Sequence, residues 1–364
     1  MEGQNMKVLY ITYIDFTNAT SGSQVRPQKM WKAFLDAGYE VYLLKGNDSR
    51  SGKKVRKKRV RELKRWLKQN RPDFCYIEPT TRPIMYRFDI RLLREIYRRE
   101  IPMGFFVRDC YYKFSPIKVP GRLGRLKATY YKYLYHRTER ILRLMDIVYF
   151  PTMDMAELFP AYANKKALPP AGEALVPAKH ERSNISIYVG GLASVYYGAK
   201  LLLDSFSILN SGDKRYPLVL ICRKEEFAAL EHPAKTAPWL EVHHVSGKEL
   251  EPFYKKADLA LLPRSRDTYN DITISVKLFE YMSFGLPVVG VKTKATAQII
   301  ERHKMGILID AKAEDFSQAI RRVLDDEQKY NEFRKNAEKA IFAGNLWIDR
   351  ARQIAMDLTE RKEK

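Results

Sequence analysis

"ADLALLPRSRDTYNDITISVKLFEYMSFGLPVVG", residues 257–290, is the stretch whose reading decides the fold. An apolar run, Leu259–Leu262, ends at Pro263 and gives way to a polar loop. The pattern predicts a helix from about Ser275 that stops at Gly285, and Pro287 opens another apolar strand. Strand, loop, helix and strand in this order form the unit of a parallel α/β sheet. The N-terminus of such a helix offers unpaired backbone N–H groups and the positive end of a dipole, a cradle for a diphosphate. Lys277 adds charge there, and Glu280, one turn on, can accept from the two neighbouring hydroxyls of a ribose. An ordinary surface ion pair fits the same two residues.

The same alternation runs through the chain on both sides. Upstream, "KVLYITY" (7–13), "EVYLLKG" (40–46), "DFCYIEP" (73–79), "MGFFVRD" (103–109) and "DIVYFP" (146–151) read as strands separated by helices. The pattern pauses at 164–183, where three prolines and scattered charges mark an interdomain linker. It restarts with "ISIYVGG" (185–191) and continues to "MGILID" (305–310), after which helices follow to the end. The expected architecture is α/β: two Rossmann-like doubly wound domains, 1–170 and 171–345, facing each other across a cleft. A C-terminal helix, 346–364, is free to pack back towards the first domain.

Several segments, in order, resemble those of GT-B glycosyltransferases, particularly the family 4-like group. "SVKLFEYMSFGLPVVG" resembles their nucleotide-binding signature. "YVGGLASVYYGAKLLLDSF" (188–206) resembles the start of their second domain, "VSGKELEPFYKKADLALLPRS" the approach to the signature, and "SGSQVRPQKMWKAFLDAGYEV" their first loop and helix. The resemblance implies a nucleotide-sugar donor held mainly by the C-terminal domain. Glu280 would bind the donor ribose, with Ser275 and Lys277 beside it. Gly190 and Gly191 would let the backbone approach the diphosphate, and Arg223 or Lys224 would neutralise it. Retaining members carry a second carboxylate eight residues before the ribose-binding Glu. Here that position is Ile272, and Asp271 is the nearest carboxylate, one residue out of register. The anomeric outcome is therefore left open.

An inverting transfer needs a general base in the N-terminal domain. Asp109 ends the fourth strand, where a doubly wound fold presents ligands, and the arrangement resembles that of the xanthan-type glucuronosyltransferase. Its alternative role is to cap the following turn or to pair with Arg108. Asp15 is a second candidate base. On the acceptor or phosphate side, Arg108 could hold an anionic group, Gly22 permits close backbone approach, and Arg26 could reach a phosphate. His136, His243 and His244 are assigned no role. No D-x-D stands at a strand end, so neither a metal nor a cofactor is expected beyond the nucleotide-sugar co-substrate.

Charge is uneven along the chain. Residues 1–170 hold 35 Lys/Arg against 16 Asp/Glu, whereas the remainder hold 30 against 27. Between Arg50 and Arg71 there are twelve Lys/Arg and one acid, Glu62. Val60, Leu63 and Leu67 make this run a docked helix, not a loose arm. In "GRLGRLKATYYKYLYHRTERILRLMD" (121–146), Leu126, Tyr130, Leu134, Ile141 and Met145 share one broad face between basic residues, which suits a lipid headgroup zone. The function these readings support is transfer of a sugar to a lipid-linked or polysaccharide-precursor acceptor at the cytoplasmic face of the membrane. The enzyme would be peripheral, touching anionic lipid through its basic half. The competing readings are a basic nucleic-acid-binding protein, which charge alone supports equally, and a nucleotide-sugar epimerase of the same fold. No nucleic-acid-binding signature is present. Three separated cysteines, Cys75, Cys110 and Cys222, point to neither disulfides nor zinc. The N-terminus reads as a strand and not as a signal peptide.

Overall fold

The computed structural model describes residues 6–16, 22–46, 52–114, 122–177, 181–193 and 195–360. The chain divides into two compact units, Met1–Pro169 with Trp347–Lys364, and Pro170–Leu346.

The first unit contains strands β1 (Lys7–Thr12), β2 (Glu40–Leu44), β3 (Phe74–Glu78), β4 (Met103–Phe106), β5 (Ile147–Phe150) and β6 (Lys165–Ala167). Its helices are α1 (Gly22–Asp36), α2 (Gly52–Gln69), α3 (Arg87–Arg98), α4 (Tyr111–Phe114), α5 (Arg122–Leu142) and α6 (Met153–Glu157). The sheet order is β2-β1-β3-β4-β5-β6 and every pairing is parallel. Strands β3, β4 and β5 are buried along their whole length, which explains their unbroken apolar sequences. Residues 164–183 were expected to be linker, yet Lys165–Ala167 forms β6. An edge position tolerates its two lysines, and Lys165 donates to the carbonyls of Ala156 and Phe159.

The direction in which successive strands are added across the sheet reverses after β2, so right-handed crossovers place α1 on one face of this sheet and α2, α3 and α5 on the other. The last helix of the chain, Trp347–Thr359, packs on α1, and Asp357 accepts from Tyr149 Oη at 3.1 Å. On the opposite face α2 neighbours α3, and α3 neighbours α5.

Helix α2 docks through Val60, Leu63 and Leu67, as the sequence predicts, and through one residue it does not: Arg56, fully buried. Its Nε lies 3.0 Å from Asp89 Oδ1. Its Nη1 donates to the carbonyls of Thr12, Leu44 and Gly46, at 3.0, 3.4 and 2.8 Å. The Tyr13 ring covers it at 4.4 Å. One member of the basic run therefore ties the ends of β1 and β2 to α2 and α3. Arg59 and Lys64 are half-buried and bond to Lys45 O and Glu95, whereas Lys54, Lys57, Arg61, Arg65 and Lys68 form one exposed stripe.

The second unit contains β7 (Ser186–Val189), β8 (Leu218–Ile221), β9 (Leu240–His243), β10 (Leu259–Leu262), β11 (Val288–Val291) and β12 (Gly306–Ile309). Its helices are α7 (Ala199–Leu209), α8 (Lys224–Ala228), α9 (Glu251–Lys256), α10 (Thr268–Ile272), α11 (Val276–Ser283), α12 (Lys294–His303), α13 (Ala313–Leu324) and α14 (Glu327–Phe342). The parallel order β12-β11-β10-β7-β8-β9 makes the β7–β10 junction the topological switch point. There the loops leaving adjacent strands diverge and open a crevice.

Candidate functional site

In the second unit, the loops after β7 and β10 are fastened to each other. Ser265 N–H donates to the Tyr196 carbonyl at 3.2 Å, and Asn270 Nδ2 reaches the same oxygen at 3.4 Å. Gly198 has φ +70°, and a Cβ there would fall 1.7 Å from the Pro263 carbonyl oxygen. Only glycine allows this approach.

Helix α11 begins beside these loops. Ser275 is its N-cap, and its hydroxyl accepts from Lys277 N–H at 3.3 Å. Lys277 Nζ donates to Glu280 Oε2 at 2.7 Å, so the surface pair foreseen as an alternative does form. A second donor to the same oxygen is the hydroxyl of Tyr254 in α9, at 2.8 Å. Burial, with the Glu280 charge beside it, pushes the ionisation of Tyr254 far up, so it remains a neutral donor. Both bonds fall on Oε2, and the Glu280 side chain is 31% exposed. Glu280 is thus held in place by two partners on one oxygen while its side chain stays partly exposed, and a carboxylate has further acceptor capacity for a ligand hydroxyl.

The other residues expected around the donor are distributed differently. Gly190 N–H donates to Ile221 O at 3.0 Å, and a Cβ on Gly190 would meet the Tyr188 hydroxyl oxygen at 2.5 Å. A Cβ on Gly191 would meet the Tyr197 ring at 2.7 Å. Both glycines are required by local packing as well as by any close approach of a ligand. Arg223 is 73% exposed and pairs with Glu226 at 2.9 Å, while the other oxygen of Glu226 accepts from Leu192 N–H at 2.6 Å. Lys224 opens α8 and is exposed. Asp271 Oδ1 accepts from Lys294 N–H at 3.0 Å, at the start of α12. The loop also carries Arg264, which the sequence reading passed over: its Nη2 donates to Asn270 Oδ1 and to Thr273 Oγ1. A cation two residues past the end of a central strand was the available signal.

In the first unit, the carboxyl ends of β3 and β4 carry a buried charge cluster. Glu78, fully buried, faces Arg108 Nη2 at 2.7 Å and Arg26 Nε at 3.2 Å. The hydroxyls of Tyr76 and Tyr10 donate to its other oxygen. Arg26 is 5% exposed and sits 3.9 Å from the centre of the Phe106 ring. It is thus built into the core around Glu78, whereas the sequence reading aimed it at a phosphate. Arg108, too, pairs with Glu78, and burial lowers its pKa. Gly22 is the first residue of α1, and the loop before it lies outside the described residues.

Asp109 stands next to this cluster. Its Oδ1 accepts from Tyr111 N–H at 2.9 Å, the turn-capping role foreseen as an alternative. It also lines a cavity of about 50 Å³ with Arg82, Arg108, Tyr112, Tyr135 and Glu139. The Tyr112 and Tyr135 rings stack at 4.2 Å, and Tyr112 Oη donates to Glu139 at 3.2 Å. A carboxylate, two stacked tyrosine rings and their hydroxyls thus share one small cavity. Asp15 is half-buried after β1, and His136 is exposed on α5.

Among the described residues no group of three or more His, Cys, Asp or Glu side chains could hold a metal ion, and no helix is long and apolar enough to cross a membrane.

Residues 175–340 match the family model described as "Glycosyl transferases group 1". A 91-residue stretch is 28% identical to the "Putative teichuronic acid biosynthesis glycosyltransferase TuaH" of Bacillus subtilis (strain 168). That match spans 24% of this chain and only 23% of the relative's length. Over almost the whole chain the structure is similar to sucrose-phosphate synthase from Thermosynechococcus elongatus, with TM-score 0.68, 14% identity, and 98% and 99% of the two chains covered. It is likewise similar to Anabaena Alr3699/HepE in complex with UDP, with TM-score 0.64, 12% identity, and 98% and 100% covered.

Proposed function

We propose that this chain, which carries a glycosyl transferases group 1 domain on a GT-B glycosyltransferase fold, moves a sugar from a nucleoside-diphosphate sugar to a lipid-linked or polysaccharide-precursor acceptor at a membrane face. The observation that carries this reading is the start of α11, where Ser275 caps the helix and Glu280 is fixed by Lys277 and Tyr254. The helix N-terminus suits the leaving diphosphate and Glu280 the ribose. A UDP complex of one structural neighbour supports a nucleotide donor. In the first unit Asp109, within its aromatic cavity, is the proposed base that takes the acceptor proton.

The acceptor side rests on the helical face formed by α2, α3 and α5. Its exposed cations are the α2 stripe, Arg87, Arg91, Arg94 and Arg98 on α3, and Arg125, Lys127, Lys132 and Arg140 on α5. At the N-terminal half of α5, Leu126, Tyr130 and Tyr133 are exposed among them, whereas Leu134 and Ile141 turn inward to the core. Each such cation contributes about 1 kcal/mol near an anionic bilayer, and exposed Leu and Tyr suit its headgroup zone.

The test is flotation with phosphatidylglycerol-containing vesicles, with a membrane lipid extract and a panel of labelled nucleotide sugars present. The protein is expected to float, and label should enter the organic phase. Replacing Leu126, Tyr130 and Tyr133 together by Ser should weaken flotation about tenfold or more. A protein that stays at the bottom yet binds RNA tightly and salt-sensitively would support nucleic-acid binding instead.

A further inference from the structure

We infer that Arg264 is the cation that holds the donor diphosphate, the task first assigned to Arg223 and Lys224; this rests on reading the second unit as a nucleotide-sugar site. Arg264 lies two residues past the end of β10 at the topological switch point, where ligands of doubly wound sheets bind. Its guanidinium is held towards the start of α11 by the Thr273 hydroxyl at 3.2 Å, two residues before the Ser275 cap. Its bond to Asn270 ties it to the loop after β7, because Asn270 also reaches the Tyr196 carbonyl. Two anion-attracting elements therefore lie close together, the dipole end of α11 and a fixed cation.

The charge of Arg264 is met by no direct carboxylate contact among the described residues; Asp267 of the same loop favours it from a distance. The carboxylate of the same loop, Asp267, is occupied by Tyr269 N–H, Asn270 N–H, Asn270 Nδ2 and the Ser265 hydroxyl. Both partners of Arg264 are neutral, and among the described residues no carboxylate forms an ion pair with it. Arg26, Arg56 and Arg334, which are buried, and Arg108, which like Arg264 is half-buried, each face a carboxylate. Burial lowers the pKa of Arg264, a cost that a bound anion would offset. Arg223, by contrast, is exposed and already paired with Glu226.

The test is calorimetric titration of UDP, GDP, ADP and dTDP, each beside its parent nucleoside, on the full chain. For the diphosphate that binds wild type, Arg264→Gln should raise Kd about tenfold or more while the nucleoside Kd shifts less than about twofold. Arg264→Lys, which keeps the charge, should recover part of the loss. Arg223→Ala with Lys224→Ala should change diphosphate Kd less than about threefold, as expected of exposed cations. Equal losses for nucleoside and diphosphate, or an unchanged diphosphate Kd in Arg264→Gln, would overturn the assignment. Wild type that binds none of the four diphosphates would overturn the nucleotide-site reading beneath it.

Discussion

Asp109→Asn should lower sugar transfer by about 10²- to 10⁴-fold, the usual contribution of a positioned general base. Nucleotide affinity should remain within about twofold, because donor binding is assigned to the other unit. The substitution isolates the chemistry. Asn keeps an oxygen that can accept from Tyr111 N–H, so the turn leading into α4 survives. What disappears is a carboxylate facing the cavity between Tyr112, Tyr135 and Glu139. Asp109→Ala would remove the cap as well and confuse the two roles. An Asp109→Asn enzyme with unchanged turnover would restrict Asp109 to capping and make Asp15 the next base to examine.

Arg56→Met should destabilise the first unit by about 3–5 kcal/mol, the cost of leaving a buried charge without its partner. Asp89 would lose its counterion, and the carbonyls of Thr12, Leu44 and Gly46 would lose their donor. Burial already raises the Asp89 pKa even though Arg56 opposes it. Without Arg56 the folded carboxyl would rise further above its unfolded value. A folded state with a raised carboxyl pKa loses stability as pH climbs from the unfolded to the folded value, because the proton must leave against burial. Urea unfolding should therefore show a smaller Arg56→Met deficit at pH 5 than at pH 7. Asp89→Asn in the same chain should recover part of the loss at pH 7. Substituting Lys57, exposed one position away, should change stability by less than about 0.5 kcal/mol. Equal effects at the two positions would mean that the basic run is uniformly solvated after all.

The central strands of both units stood out in the sequence as short apolar runs, because parallel strands covered on both faces have no polar side. The helix from Ser275 to Gly285 was equally plain, with its cap and stop residues. Edge strand β6 was hidden because a three-residue strand with two lysines has no period to detect. Arg56 was hidden by its neighbours. Continuing the stripe Val60, Leu63, Leu67 backwards lands on position 56, but a charge among charges looks solvated until burial is seen. At the candidate sites, residue type singled out individual side chains and not the partners the fold gives them. Arg26 and Arg108 looked available for anions, yet both turn to Glu78, whose burial at the end of β3 no local pattern announces. Glu280 was singled out from its place on α11, while Tyr254, 26 residues earlier, joins it only through the fold.

The central claim is that Glu280, set in place by Tyr254 and Lys277, reads the sugar hydroxyls of a nucleotide donor. Calorimetry of the best-binding nucleoside diphosphate with wild type and Glu280→Ala tests it most directly. Loss of hydrogen bonds to a charged acceptor is worth about 1.5–3 kcal/mol, so the account predicts a Kd about 10- to 150-fold higher in a variant that melts as one folded protein. Equal affinity in the two proteins would contradict it.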